Sequence, residues 1–285
     1  MDTTRHYIII DGSYFIFHRY HAIKLWYKNA IEKQKDLDNN ENEENIDNSN
    51  NEKLDKTFID KFMKTFNTKI NEIQKKLKIN KNEQILKLVG LDCPRKDIWR
   101  KEIFPEYKES RSANDKHIKD IFTLTYKNKL FQHSGVDIEL QHNRLEADDV
   151  IAITTKYIKV KYPNSKIWII TSDMDYLQLA EENKVMLFDL SFKELTKKRN
   201  SSNNPQKDLF YKIVMGDKSD NIPAIFNKCG FRTAEKLYNN RDDLLEKFKN
   251  DKNIEKQYEL NTKLIDFNYI PLEHSNDFKK KIDII

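Results

Sequence analysis

The sequence predicts an α/β fold in which a mainly parallel sheet is flanked by helices. Apolar stretches at residues 7–10, 85–91, 167–171 and 185–188 have the length and composition of buried strands, and residues 136–140 form a weaker fifth candidate. Helical patterns lie between them, and this alternation is typical of a parallel sheet. Asp11, Asp92 and Asp173 stand at or just beyond strand ends, where such sheets bind ligands.

The predicted helices rest on apolar spacing and on capping residues. Ser13 is a candidate N-cap for a helix through about residue 30. Residues 57–77 carry apolar side chains at helical spacing, and the helix expected at 146–162 stops at Pro163. After about residue 200, short amphipathic helices replace strands. We therefore predict an α/β domain over residues 1–204 and a small helical domain over residues 205–285.

Composition narrows the class of protein. The 285 residues are 38% hydrophobic, enough for a core, and no run approaches the roughly 18 apolar residues of a membrane helix. The asparagine-rich tract at residues 32–53 is predicted to be a disordered insertion. Cys93 and Cys229 are too few for a disulfide framework or a zinc site, so we expect an intracellular protein that is not secreted. A net charge of +5 suits nucleic acid only weakly.

Carboxylates are concentrated in three clusters. The clusters are Glu146-Ala-Asp148-Asp149, Asp173-Met-Asp175 and Asp217-Lys-Ser-Asp220. Two like charges about 4 Å apart repel by about 4 kcal/mol at the effective dielectric of a protein surface. A cleft that gathers these clusters with Asp11 and Asp92 would therefore need cations. Oxygen ligands suit Mg²⁺ or Mn²⁺, and paired ions of this kind cut phosphodiester bonds.

Each motif also has an alternative interpretation in which its residues have a purely structural role. Acids in the first turn of the helix that follows Glu146 favour the helix dipole, and single aspartates initiate turns. Residues 94–119 combine basic and aromatic side chains, which suits phosphates and unpaired bases. The same segment also carries acids, so a solvated surface helix stays an open alternative.

Taken in order, the motifs resemble the 5′ nuclease family. This family includes flap endonucleases, phage enzymes that remove replication primers and the 5′ nuclease domain of bacterial DNA polymerase I, and the chain is more similar to the phage enzymes. The matching motifs are Asp11-Gly12, Asp92, Pro105-Glu-Tyr107-Lys108-x-x-Arg111, Glu146-Ala-Asp148-Asp149, Thr171-Ser-Asp173-x-Asp175 and Gly216-Asp217-x-x-Asp220-Asn221. The resemblance covers nearly the whole chain apart from the asparagine-rich tract.

The resemblance implies a PIN-like core with a helical arch at about residues 94–119. It implies two divalent ions, Mg²⁺ or Mn²⁺, held directly or through water by Asp11, Asp92, Glu146, Asp148, Asp149, Asp173, Asp175, Asp217 and Asp220. Lys108 and Arg111 are the expected phosphate-binding catalytic residues, with Arg100 as a further candidate, and Tyr107 is expected to stack on the end base. The implied activity is 5′→3′ exonuclease and flap endonuclease cleavage of DNA with a 5′ flap or a 5′ end at a duplex junction, and the resemblance suggests RNA primers as a further substrate. The enzyme would act as a monomer at sites of DNA replication or repair.

The expected C-terminal helix–three-turn–helix element departs from the family pattern. Residues 223–230 contain one glycine where the family has three, which argues against a K⁺ site and for a weaker grip on duplex. Lys228 and Arg232 are expected to compensate through their charge. His18 also stands where the family usually has arginine. Two other functions therefore remain open, a non-catalytic protein that binds DNA junctions and a related ribonuclease.

Overall fold

The structure is a computed structural model that describes residues 4–37, 55–111 and 116–283. Within these residues the chain forms two compact units. The first contains residues 4–12, 83–111 and 138–283, and the second contains residues 13–37, 55–82 and 116–137.

The first unit is built on a five-stranded sheet in which all pairings are parallel. The strands are β1 Arg5–Asp11, β2 Gln84–Gly90, β3 Ile138–Leu140, β4 Ile167–Ile170 and β5 Val185–Phe188. Their order in the sheet is β3-β2-β1-β4-β5. The predicted parallel sheet is confirmed, and the weaker fifth candidate is the edge strand β3. Strands β2 and β3 are added on one side of β1, and β4 and β5 are added on the other side. The point at which the strand order switches therefore lies between β1 and β4, and ligands of such sheets bind at this point.

The helices follow the strands in the expected alternation. In chain order they are α1 Gly12–Leu37, α2 Lys56–Lys76, α3 Arg100–Ile103, α4 Lys116–Lys127, α5 Leu130–His133, α6 Ala147–Lys161, α7 Pro205–Met215, α8 Phe231–Asn239, α9 Arg241–Asn250, α10 Lys252–Ile265 and α11 Leu272–Ile282. The predicted helices at 57–77 and 146–162 are confirmed as α2 and α6. Tyr162 ends α6 immediately before Pro163, as the restriction on the residue before proline requires.

Two glycines allow the close packing that places the site. A Cβ on Gly12 would lie 2.7 Å from the carbonyl oxygen of Gly90 on the neighbouring strand. A Cβ on Gly90 would lie 2.5 Å from the Ile151 side chain of α6. Any larger residue would separate these backbones. The first turn of α6 therefore sits directly at the carboxyl ends of β1 and β2.

The helical C-terminal region begins where the sequence predicts. Asn204 caps α7 by accepting a hydrogen bond from the Lys207 N–H at 3.1 Å, and Pro205 occupies the first turn. Phe278 and Ile282 of α11, however, belong to the same core cluster as Ile151 of α6. The division between the two compact units therefore does not fall at residues 204 and 205, because the last helix packs on the sheet core.

The second unit is helical, with an aromatic core. Phe15 of α1 packs edge-on against Phe66 of α2 at 4.8 Å between ring centroids, and Phe66 packs against Phe131 of α5 at 5.0 Å. Asp55 caps α2 by accepting a hydrogen bond from the Thr57 N–H at 2.8 Å. These contacts explain the helical apolar spacing that the sequence shows between residues 57 and 77.

Two expectations about α1 are wrong. The helix starts at Gly12, directly after β1, so Ser13 lies inside the helix and is not its N-cap. The expected insertion at 32–53 also begins too early, because residues 32–37 continue α1 through Leu37. Lysine, glutamate and glutamine there are good helix formers that extend an existing helix. Residues 38–53 of the tract lie outside the described residues.

None of the helices in the described ranges is both long enough and apolar enough to span a membrane. The expected arch at 94–119 includes residues 112–115, which the description does not cover. Its earlier part, to residue 111, contains a 3₁₀ turn at Arg95–Asp97 and the four-residue helix α3. The arch therefore stays a prediction.

Both cysteines are expected to be unreactive in the folded protein. Cys93 and Cys229 are free and buried, and burial raises the pKa of their thiols to about 12 and about 11. At pH 8 a thiol with a pKa of about 11 is ionised only to about one part in a thousand. We therefore expect a colourimetric disulfide reagent to label the native protein over hours, and both thiols within minutes in denaturant. Rapid labelling of the native protein would contradict this burial.

Candidate metal centre and active site

The carboxyl edge of the sheet brings Asp11 and Asp92 to fixed positions. Asp11 ends β1, and its Oδ2 accepts a hydrogen bond from Thr171 Oγ1 at 2.9 Å, just beyond β4. Asp92 follows β2, and its Oδ1 accepts a hydrogen bond from the Ala147 N–H at 2.8 Å. The first of these links joins two strand ends, and the second joins a strand end to the start of α6.

The densest group of carboxylates lies at the start of α6. Oxygen atoms of Glu146, Asp148 and Asp149 lie within 4.8 Å of one another. Burial, followed by the charge of Asp149, raises the pKa of Asp148 well above its usual range. Such a cost is what a bound cation would remove, and hard oxygen donors at this spacing fit a divalent ion. The donor set therefore fits the metal that the clusters predict.

Arg100 is the counter-ion behind this group. Its side chain is 2% exposed, and its guanidinium donates to Glu146 Oε2 at 2.8 Å and to both oxygens of Asp149 at 2.7 and 2.8 Å. Its Nε donates to the Leu264 carbonyl oxygen at 2.8 Å. With all three nitrogens engaged inside the protein, Arg100 has no free group for a phosphate. This corrects the expectation that it binds substrate.

Asp149 is equally committed to internal contacts. Besides Arg100, its carboxylate accepts hydrogen bonds from Trp99 Nε1 at 2.9 Å and from the Glu146 N–H at 3.1 Å. Its side chain is fully buried. A direct metal bond would have to replace one of these contacts, so the geometry favours a role in orienting Glu146 and Arg100.

Lys108 joins two of the acidic clusters. Its Nζ lies 2.5 Å from Glu146 Oε1 and 3.7 Å from Asp220 Oδ2. Burial alone would lower the pKa of Lys108, but Glu146 and Asp220 raise it above its usual range, so the ammonium is charged. The backbone is held in the left-handed region at φ +57°, and the Lys108 N–H donates to the Asp220 carbonyl oxygen at 2.9 Å. A non-glycine residue in this region costs energy that its surroundings must offset, which is common at functional sites.

Arg111 and Tyr107 also contact Asp220. Arg111 is 49% exposed on its side chain, pairs with Asp220 and donates from Nε to the Ser219 carbonyl oxygen at 3.1 Å. Tyr107 is only 2% exposed, and its hydroxyl donates to Asp220 Oδ2 at 3.2 Å. Stacking on a base needs an open ring face, so the buried ring of Tyr107 does not fit the expected role.

A second carboxylate group surrounds Lys212 of α7. Lys212 Nζ pairs with Asp175 and lies 2.8 Å from Asp217 Oδ2. Burial raises the pKa of Asp175, and Lys212 only partly opposes this. Burial would also raise the pKa of Asp217, but Lys212 and Ser219 together lower it to about 2. Asp173, which is exposed, caps the 3₁₀ turn by accepting from the Asp175 N–H at 2.9 Å.

Gly216 fixes the direction of the chain at Asp217. It has φ +70°, and a Cβ there would lie 2.4 Å from the Ile222 carbonyl oxygen. The following turn is closed by mutual backbone hydrogen bonds between Asp217 and Ile222, at 2.8 and 2.9 Å. Asn261 of α10 then donates to the Pro223 carbonyl oxygen at 2.8 Å and secures the loop.

Lys228 and Arg232 lie on the surface of the loop and helix that follow. Lys228 is exposed at φ +60° between α7 and α8, and Arg232 is exposed in the first turn of α8. Neither forms an ion pair with a carboxylate of the described residues. Their charges are thus directed at solvent, outside the acidic groups.

Sequence reasoning missed Lys212 and Trp99 as parts of the site. Lys212 is the single charged residue in the otherwise apolar stretch Leu209-Phe-Tyr-Lys-Ile-Val-Met, five residues before Asp217. That isolated charge was a usable signal. Trp99 gave none, because a tryptophan beside basic residues is equally consistent with an exposed stacking surface.

Comparisons with known proteins identify a family. A profile of the family described as "5'-3' exonuclease, N-terminal resolvase-like domain" matches residues 6–208. A 5′–3′ exonuclease of Mycoplasmopsis pulmonis is 32% identical over 149 residues, which are 50% of this chain and 47% of that protein. One from Buchnera aphidicola is 31% identical over 183 residues, 62% of this chain and 58% of that protein. The chain therefore spans about half the length of these bacterial relatives.

Phage proteins match over a larger share. A protein of bacteriophage T4 called "Ribonuclease H" is 28% identical over 222 residues, 71% of each chain. The bacteriophage T5 flap endonuclease, solved in complex with DNA and metal ions, superposes with a TM-score of 0.63 over 98% of each chain at 18% identity. The zinc-bound bacteriophage T5 5′-exonuclease gives the same TM-score and coverage. At this identity the structural match establishes the fold.

Proposed function

Because this chain belongs to the 5′–3′ exonuclease family, we propose that it is a metal-dependent 5′ nuclease. It hydrolyses DNA phosphodiester bonds at 5′ ends and at 5′ flaps beside a duplex. The observation that carries the proposal is the cluster of Glu146, Asp148 and Asp149 at the sheet edge, with Asp11 and Asp92 anchored beside it. Acting at such ends and flaps places the protein at sites of DNA replication or repair.

The divalent ions are Mg²⁺ or Mn²⁺, held by carboxylates of the three acidic clusters together with Asp11 and Asp92. Asp148 is the principal direct ligand, because its carboxylate forms no ion pair among the described residues, whereas those of Glu146 and Asp149 do. The further carboxylates that hold the two ions, directly or through water, are Asp11, Asp92, Glu146, Asp173, Asp175, Asp217 and Asp220. Bound divalent ions supply Lewis acidity, which activates water and offsets charge on the leaving oxygen.

Lys108 and Arg111 are the donors for the scissile phosphate. In this structure they neutralise Glu146 and Asp220. When cations offset those carboxylates, the same two side chains are free to turn to a phosphate oxygen, which prefers charged donors. Arg100 keeps Glu146 oriented from behind and is a positioning residue.

Duplex binding falls to the exposed cations of the C-terminal helices. Lys228 and Arg232 lie in the loop before α8 and in its first turn, within the segment where the helix–three-turn–helix is expected. A Cβ on Gly230 would meet nothing within 4 Å, so the remaining glycine is not required by the protein's own packing. We propose charge-based contact with phosphates there and no K⁺ site.

Cleavage of a 5′-flap DNA tests the proposal. We expect Mg²⁺- or Mn²⁺-dependent release of the flap, none in chelator, and loss of cutting with retained DNA binding in Asp173→Asn. Asp251→Asn is the matched control, because Asp251 also caps a helix by accepting from the N–H two residues on, at 2.8 Å. That control should cut like the wild type. Junction binding without any cutting would instead support the non-catalytic alternative.

Ribonuclease activity is the second candidate. The bacteriophage T4 relative with "Ribonuclease H" as its name aligns over 71% of this chain, more than either bacterial exonuclease. Substrates of one shape with a DNA or an RNA 5′ strand on a DNA template should be compared side by side. Preference for the RNA strand by tenfold or more would favour this candidate over the first.

A further inference from the structure

A cavity of about 440 Å³ lies at the amino ends of the strands, at the sheet edge opposite the carboxylates. Its walls come from the start of β1, the start of β2 and the segment between α6 and β4, including Arg5, Gln84 and Lys161. Small-molecule sites commonly have volumes of about 300–1,000 Å³. The cavity is therefore large enough for a ligand bigger than a single inorganic ion.

The walls of this cavity are basic. Arg5 and Lys161 both line it, and among the described residues no aspartate or glutamate lines it. Lys161 pairs with exposed Asp283 at 3.0 Å, whereas Arg5 has no ion pair with any described carboxylate. An anionic ligand would therefore gain from both charges.

Tyr7 adds a buried donor without a partner. Its side chain is fully buried and lines the cavity, and its hydroxyl has no hydrogen-bond partner among the described residues. Burial raises the pKa of this phenol, so it is protonated and a donor at neutral pH. A buried hydroxyl without a hydrogen-bond partner destabilises the folded protein. A ligand acceptor in the cavity would remove that cost.

The remaining walls suit a planar group beside the anion. Tyr162 lines the cavity with its ring 6.2 Å from that of Tyr7, and Gln84 supplies an amide group, whereas the Ser165 hydroxyl already donates to the Arg5 carbonyl oxygen at 2.6 Å. Aromatic faces stack on nucleobases, and amides hydrogen-bond to base edges. We propose that this cavity binds a nucleoside monophosphate, with Arg5 and the Tyr7 hydroxyl on the phosphate and Tyr162 beside the base.

Calorimetric titration of the full chain with deoxyadenosine 5′-monophosphate tests this site. The titration is run in chelator, so that no cation bridges the nucleotide to the acidic cleft. We expect one site in the wild type, binding at least about tenfold weaker for inorganic phosphate, and no binding of deoxyadenosine. No binding of the monophosphate at millimolar concentration would overturn the proposal, as would equal affinity for inorganic phosphate.

Three variants locate the site. Tyr7→Phe keeps the ring and removes only the unpartnered hydroxyl, so it should fold at least as stably as the wild type and bind about tenfold more weakly. Arg5→Gln should weaken binding by a similar factor. Lys166→Gln removes a nearby exposed charge that does not line the cavity, so its affinity should stay within about twofold of the wild type. Unchanged affinity in both Tyr7→Phe and Arg5→Gln would overturn the assignment.

Discussion

Replacing Asp148 by asparagine is expected to abolish cleavage and to stabilise the protein in chelator. Asp148 is the carboxylate whose charge is most opposed by its surroundings, since burial and Asp149 raise its pKa well above the usual range. Asparagine keeps the shape and removes that charge. We expect cleavage to fall by at least about a thousandfold, or about 4 kcal/mol of activation free energy. The Tm in chelator should rise by about 2–4 °C, as relief of about 1 kcal/mol of repulsion implies.

The two readouts separate a metal ligand from a structural residue. Replacing an aspartate with a structural role would lower the stability of the protein. Replacing a metal ligand whose charge is repelled by neighbouring carboxylates should raise that stability in chelator. The stabilisation that Mg²⁺ gives to the wild type should shrink in Asp148→Asn, because one ligand is missing. Asp60→Asn is the control, since Asp60 is exposed on α2, and it should change neither quantity. Cutting within tenfold of the wild type, or a lower Tm in chelator, would refute the assignment.

Replacing Arg100 by methionine is expected to destabilise the fold severely. The change leaves Glu146 and Asp149 buried without their shared counter-ion, and it frees the Leu264 carbonyl oxygen. Removing one partner of a buried ion pair costs about 3–5 kcal/mol. We therefore expect the Tm to fall by about 10 °C, with loss of cleavage because Glu146 is no longer oriented. Urea or thermal unfolding measures the effect.

Arg100→Lys and a surface pair provide the controls. Lysine keeps the charge but cannot bridge both oxygens of Asp149 while also reaching Glu146, so an intermediate loss is expected. Lys252 pairs with Glu255 at 2.7 Å on the surface of α10, and Lys252→Met should cost less than about 0.5 kcal/mol. An Arg100→Met protein as stable as the Lys252→Met control would show that Arg100 is not the buried counter-ion.

Much of the fold followed from local patterns. The strands that contain Ile9, Leu88 and Ile169 are short apolar runs rich in isoleucine, leucine and valine, and their length favours a buried strand over a helix. Helix α2 was predictable because its buried phenylalanines recur at helical spacing. The start of α1 was not predictable, because the helix follows β1 without an intervening turn. Glycine is needed at position 12 only because the backbone there lies close to Gly90 of β2.

The site was predictable in its carboxylates and less so in its cations. Asp11 and Asp92 follow strands, and a parallel sheet brings such ends together whatever the remainder of the chain does. Arg100, Lys108 and Arg111 look alike in the sequence as basic residues near aromatic ones. In the structure Arg100 is saturated inside the protein, Lys108 is held between two carboxylates, and Arg111 is half exposed.

The sequence by itself determined the sheet, the order of the acidic clusters and the family to which the chain belongs. These depend on hydrophobic period and on motif order, which are properties of neighbouring residues. The tertiary structure alone decided which cations neutralise which acids, that Tyr107 is buried, and that Lys212 joins Asp175 to Asp217. Burial and ion pairing depend on residues far apart in the chain, so no local pattern contains them.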